Sequence, residues 1–222
     1  CESNIMIAVR DGVRLATDIY RPALSGKPVS ERFPVILERT PYGKSLPSRS
    51  ELDRGESQAR ARVDIAHWFV QHGYVVVYQD CRGRYASEGQ FIKYLSDGED
   101  GYDTIEWIAA QPWSNGRTGM VGSSYACITQ IRTALERPPH LTAIWPDVAP
   151  TTTYHHQTRE GGAMQLHMFW ALYIHAADAQ EVQANPALQE DVWDDLRNLR
   201  KLIWGWPWRK GERALRHVPA LD

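Results

Sequence analysis

The chain has 222 residues, 43% of them hydrophobic and 23% charged, with a formal net charge of -2. That balance fits a globular protein with a buried core, arranged as one large α/β domain or as one domain plus part of a second. It gives no reason to expect nucleic acid or a membrane surface as a partner, and no apolar run approaches the length of a membrane span. Cys1, Cys81 and Cys127 are too sparse and too far apart for a disulfide scaffold or a set of metal ligands.

Ile5 to Arg10 and Arg14 to Tyr20 alternate in polarity across Asp11-Gly12, which predicts a hairpin. Phe33 to Glu38 is an apolar strand that runs into the loop Arg39-Thr40-Pro41-Tyr42-Gly43-Lys44, and Ser45 to Ser57 is a polar, proline-bearing surface connection. Arg60 to His72 has helical spacing and stops at Gly73. Tyr74 to Tyr78 is a continuous β-branched run, as expected of a parallel strand buried on both faces. The polar loop Asp80 to Gly89 follows, then a helical stripe through Tyr102, Ile105, Ile108 and Ala109 that ends near Pro112. Thr118 to Val121 reads as a strand, Tyr125 to Glu136 as a helix broken by Pro138-Pro139, and Leu141 to Trp145 as a further strand.

This alternation predicts a mostly parallel sheet with helices on both faces and the hairpin at one edge. After Pro150 the character changes. Residues 151–222 show no convincing strand, are rich in aromatics, and read as helical over Leu166 to Ala177 and Leu188 to Leu202. The expected division is therefore 1–150 for the α/β part and 151–222 for an inserted helical layer.

The segment Arg117-Thr-Gly-Met-Val-Gly-Ser-Ser-Tyr-Ala126 carries the chemistry. It orders a strand, a tight turn with serine at its apex, and a helix. Such a turn lifts the serine hydroxyl out at the carboxyl end of the sheet, with the next amide and the helix amino terminus facing the same point. Spacing from Gly122 makes Ser124 the nucleophile of an acyl transfer, and the amide of Tyr125 one donor to the oxyanion. The usual closing glycine of a Gly-x-Ser-x-Gly turn is Ala126 here. Asp80, Arg82 and Glu88 are read as structural, an Arg82–carboxylate pair bracing its loop. His155, His156 and His167 lack helical i, i+4 spacing and are read as ordinary polar residues.

The chain resembles the α/β-hydrolases grouped as X-Pro dipeptidyl-peptidase-like or CocE/NonD hydrolases, a set of esterases, acylases and dipeptidyl peptidases. The resemblance lies in residues 10–22 (Arg-Asp-Gly-Val-Arg through Tyr-Arg-Pro), in Arg39-Thr-Pro-Tyr-Gly-Lys44, in Asp80-Cys-Arg-Gly83 with Ala86-Ser-Glu-Gly89, and in Gly122-Ser-Ser-Tyr125. It implies an α/β-hydrolase fold with a helical cap, Ser124 as the acylated residue and the Tyr42 hydroxyl as second oxyanion donor. Cys127 stands where the family has its closing glycine. The family's triad acid and histidine lie after later strands, so the resemblance also implies an N-terminal fragment. The rest of the catalytic domain and a β-sandwich domain would then be absent, and these residues alone would be inactive.

The leading expectation is a serine hydrolase acting on a small ester or amide, with X-Pro dipeptidyl peptidase as the alternative. A non-catalytic hydrolase-like binding protein is the reading from another class. A nucleotide-binding protein is set aside, because no Gly-rich phosphate loop follows the first parallel strand. Phe169 and Trp170 of the helical layer are expected to face the cleft and to suit an apolar acyl group. No metal or cofactor is expected, no nucleic acid or membrane partner, and self-association is left open. Location is unreadable, with the cytoplasm as default and a secreted or periplasmic place as the alternative, because any leader would be missing from a chain that starts at Cys1.

Overall fold

The computed structural model describes residues 1–47, 60–148, 152, 154–205, 208–209, 211–212 and 215–218. Part of the predicted Ser45–Ser57 connection, Pro150 and Trp206 lie outside them. The chain divides into two compact units, Cys1–Ala149 and Pro150–Asp222.

Among the described residues the main sheet of the first unit has six strands: β1 (Glu2–Ala8), β2 (Arg14–Tyr20), β3 (Phe33–Thr40), β4 (Val75–Asp80), β5 (Ser114–Ser123) and β6 (Leu141–Asp147). Their order across the sheet is β1-β2-β4-β3-β5-β6. The hairpin β1-β2 joins antiparallel to β4, and β4, β3, β5 and β6 run parallel. Three helices cover the sheet: α1 (Arg62–Gln71), α2 (Asp97–Ala109) and α3 (Tyr125–Leu135).

The side-chain period of two decides which helix meets which face. In β4, Val75 and Val77 join Ile105 and Ile108 of α2, with Val35, Leu37 and Met120 from the neighbouring strands. Val76 and Tyr78 point the other way, onto Ala66 and Phe69 of α1. All six β4 residues are buried, and burial on both faces is why the first four, Val75 to Tyr78, form an unbroken apolar run before Gln79 and Asp80. At the opposite margin β6 is half exposed, with Trp145 74% accessible, and it is the last strand of the sheet among the described residues.

Several elements begin earlier than the sequence indicates, β5 and α2 among them. β5 starts at Ser114 instead of Thr118, because Ser114 pairs with Phe33 across an irregularity in the β3 ladder. α2 starts at Asp97 rather than near Tyr102, through a polar first turn containing Gly98 and Gly101. Gly101 is required by close approach to α3: a Cβ there would fall 1.8 Å from Thr133 Oγ1. Tertiary contact here overrides the poor helix propensity of glycine.

The second unit contains α4 (His167–Ala177) and α5 (Pro186–Arg197), with short helical segments at Gln180–Gln183 and Leu199–Leu202. Asn185 caps α5 through the Leu188 amide, and Pro186 occupies the first turn, where it has no amide to satisfy. Tyr173, Ala176, Val182, Val192 and Val218 form its core. Contrary to the sequence reading, a small antiparallel pair is present, Arg159–Glu160 against Ala163–Met164 around Gly161-Gly162. No helix among the described residues is long and apolar enough to cross a membrane.

Candidate active site

Tyr42, Asp80 and Ser124 all lie at or just beyond the carboxyl ends of adjacent strands, β3, β4 and β5. In open parallel sheets this is the edge where ligands bind. Ser124 sits between β5 and α3 with φ 58° and ψ -117°, a conformation strained for any residue with a Cβ. Two features hold it there. Gly122, at φ 134°, lets strand and helix close, since a Cβ on it would come within 2.7 Å of Ala126 Cβ. The Ser124 amide donates to Asp147 O at 3.0 Å, and Gln130 Nε2 donates to Gly122 O at 3.0 Å.

The Ser124 side chain does not cap its own helix, although it stands at the capping position. It is exposed and turned towards Tyr42, whose hydroxyl donates to Ser124 Oγ at 3.2 Å. The Tyr125 amide donates in turn to the Tyr42 hydroxyl oxygen at 3.3 Å. The Tyr125 amide, the Tyr42 hydroxyl and Ser124 thus form one chain of hydrogen bonds that ends at the serine oxygen.

Tyr125 is fixed by its ring. Its phenol accepts the Tyr94 amide at 2.9 Å and also engages the buried Asp97 carboxyl, and its ring packs on Tyr94 at 4.7 Å. Burial pushes the Tyr125 hydroxyl well above the usual phenol range and raises the Asp97 carboxyl too.

Tyr42 is held from beneath by buried charges. Its amide donates to Thr40 Oγ1 at 3.1 Å, Arg84 Nε donates to Pro41 O at 2.9 Å, and the Lys44 amide donates to Asp80 Oδ1 at 2.7 Å. The Lys44 ammonium pairs with Asp18 at 2.9 Å. Arg62, from the start of α1, pairs with Glu38 at 2.6 Å and donates to Gly43 O and Leu46 O. The sequence showed these charges without showing that they converge on one loop. Arg82 braces its own loop with Asp100 and Asp11, and Glu88 pairs with Arg14.

Cys127 is fully buried in α3, and burial, followed by nearby Asp147, pushes its thiol up to about 11. It is therefore a thiol filling space beneath the turn and not a thiolate. Among the described residues Tyr42 is the one hydrogen-bond partner of the Ser124 hydroxyl. Histidine side chains engage other groups: His72 meets Trp68 O, His140 meets Glu106 and His217 meets Asp195, each through Nδ1. A cavity of about 530 Å³ lies between α1 and the sheet, lined by Ile36, Ile65, Phe69, Val76 and Trp145 together with Glu38 and Asp147, and Ser124 does not line it. Phe169 and Trp170 belong to the second unit. There Phe169 is buried, its ring edge-on to Trp208 at 4.8 Å, and Trp170 is 57% exposed.

With this geometry described, comparison with known proteins is decisive about ancestry. The model of the X-Pro dipeptidyl-peptidase (S15) family matches residues 11–218, nearly the whole chain. The chain belongs to that family. Cocaine esterase from a Rhodococcus species is 41% identical over 152 residues, which are 68% of this chain and 24% of that protein. A putative serine esterase of Mycobacterium bovis is 33% identical over 175 residues, 76% of this chain and 27% of the relative. Among solved structures, a CocE/NonD family hydrolase from Staphylococcus aureus superposes with a TM-score of 0.65 at 26% identity, covering 98% of this chain and 38% of that one. This S15-family chain thus spans about a quarter of the length of these curated relatives, and its sheet is that of an α/β-hydrolase.

Proposed function

We propose that the protein to which these residues belong is a serine hydrolase that cleaves a small ester or amide through an acyl-enzyme on Ser124. One observation carries the reading: a serine at a strained strand–helix turn lies 3.2 Å from a phenol and beside the amide of the next residue. Ser124 Oγ attacks the acyl carbon and gives up its proton to a general base. The carbonyl oxygen becomes an oxyanion between the Tyr125 amide and the Tyr42 hydroxyl, two neutral donors held in place before the charge develops. Collapse expels the alcohol or amine, and water then releases the acid. The base and its orienting acid are assigned to parts of the protein outside these 222 residues, which on this reading do not turn over substrate alone.

Within this class an esterase or acylase is favoured by the cocaine esterase and serine esterase relatives. The dipeptidyl-peptidase reading has support from the family's name and from a putative Xaa-Pro dipeptidyl-peptidase of Streptomyces avermitilis, 28% identical over half of this chain. Two experiments on the full-length protein test this. A fluorophosphonate is expected to label the peptide containing Ser124. No labelling would leave a ligand-binding relative without catalysis. Turnover of nitrophenyl acetate in preference to a Gly-Pro nitroanilide supports the esterase branch, and the reverse order supports the peptidase.

A further inference from the structure

We propose that Asp80 is a positioning residue for the oxyanion-binding arm, holding the Tyr42 phenol in place by gripping the backbone two residues beyond it. This rests on the reading of Ser124 and Tyr42 given above. Tyr42 follows the last residue of β3 by two positions, in a loop with Pro41 on one side and Gly43 on the other. No strand ladder fixes it there. Asp80 is the last residue of β4 and lies opposite Thr40 in the parallel register, so the sheet itself anchors its carboxylate. One oxygen accepts the Lys44 amide at 2.7 Å, the shortest of the bonds that hold residues 41 to 44 by their backbone amides or carbonyls at Thr40, Arg84 and Asp80. The other faces the Ala86 amide at 3.4 Å.

The carboxylate is 1% exposed, so both contacts act in a low-dielectric setting where they resist displacement. Lys44 and Asp18 are the charges facing it, with the Cys81 thiol next in the chain, and burial pushes Asp80 up to about 6. Two amide donors on two oxygens give the site a chemical signature. An ionised aspartate satisfies both. Asparagine has one acceptor oxygen and sets its own N–H groups against the remaining donor, as a clash with no change in size. Protonation of Asp80 converts one acceptor into a donor in the same way.

The test uses the full-length protein, with an ester substrate and kcat and KM measured separately. Asp80→Asn is expected to lower kcat roughly 10- to 100-fold, the scale of a sub-ångström to 1 Å misplacement, with little change in KM. Because Asp80 acts through the phenol, Asp80→Asn combined with Tyr42→Phe should lose no more than Tyr42→Phe alone. Full kcat in Asp80→Asn, or losses that multiply in the double variant, would overturn the assignment. If Asp80→Asn does not fold, the acid limb of kcat decides. Wild type should fall below about pH 6 with more than one-proton steepness, and Tyr42→Phe with one. Identical limbs in the two proteins overturn the proposal. Ser124→Ala separates the premise: if it retains turnover, the serine reading itself fails, whatever Asp80 does.

Discussion

Ser124 and Tyr42 bring their hydroxyl oxygens to 3.2 Å, yet the chain around each is held in a different way. At Ser124 the restraint is mostly local: a strained φ, a glycine where strand and helix nearly touch and the first turn of α3, joined by one bond from the Ser124 amide to Asp147 O of the next strand. At Tyr42 it is remote: Arg84, Asp80 and Arg62 reach in from other elements to hold a loop that lies beyond the strand ladder. A turn set by covalent geometry depends on small residues close in sequence. A loop set by buried ions depends on partners far along the chain, and breaking one leaves another uncompensated. The second kind of support is more costly to damage.

The largest effect separates function from framework on the serine side. Ser124→Ala in the full-length protein is expected to lower kcat by at least about 10⁴-fold with an unchanged urea midpoint, since only an exposed hydroxyl is lost. Near-normal ester hydrolysis by this variant would remove the serine from the mechanism. On the tyrosine side, Arg62→Met should do the opposite and act on stability first. It strands Glu38, which is 5% exposed, and removes donors from three loop carbonyls, at about 3–5 kcal/mol in urea unfolding. A loss under about 1 kcal/mol would mean that the loop does not rely on its buried charges.

Tyr42→Phe comes next. Turnover should fall roughly 10²–10³-fold, about 2.7–4 kcal/mol in the barrier, with a stability close to wild type. Unchanged turnover would make the phenol structural and place the second donor elsewhere. The smallest effect is Cys127→Gly, expected to leave kcat alone and to cost at most about 1 kcal/mol as glycine in a helix interior. Loss of activity there under reducing conditions would give this buried thiol a role that its raised acidity range contradicts.

The same contrast explains what the sequence made legible. The Ser124 turn could be read because its determinants are contiguous: an apolar strand, Gly122, the serines and a helix-forming stretch. β4 could be read because burial on both faces forces an apolar run from Val75 to Tyr78. Tyr42 was reached only through resemblance, since nothing near Pro41 reports that a phenol will meet Ser124 82 residues further on. The start of α2 was hidden because Asp97, Gly98, Asp100 and Gly101 look like a loop. In the fold Asp100 meets Arg82 and lies near Arg39, and Gly101 makes room for Thr133. Asp80 could be seen as a charge, but its partners, the amides of Lys44 and Ala86, are backbone groups with no signature in sequence.

The bonds that join the Tyr125 amide, the Tyr42 hydroxyl and Ser124 Oγ have a consequence for what the pocket rewards. Without substrate these groups satisfy one another, at 3.3 and 3.2 Å. An arriving acyl oxygen must therefore replace a hydrogen-bond partner that is already present. A neutral ester carbonyl is a modest acceptor and gains little from that exchange. The same oxygen carrying a full negative charge is a far better acceptor and gains a great deal. On the proposed reading the resting contact works as a threshold: it holds back affinity for the substrate as it enters and releases that affinity when the tetrahedral adduct forms, which raises turnover without tightening the ground-state complex.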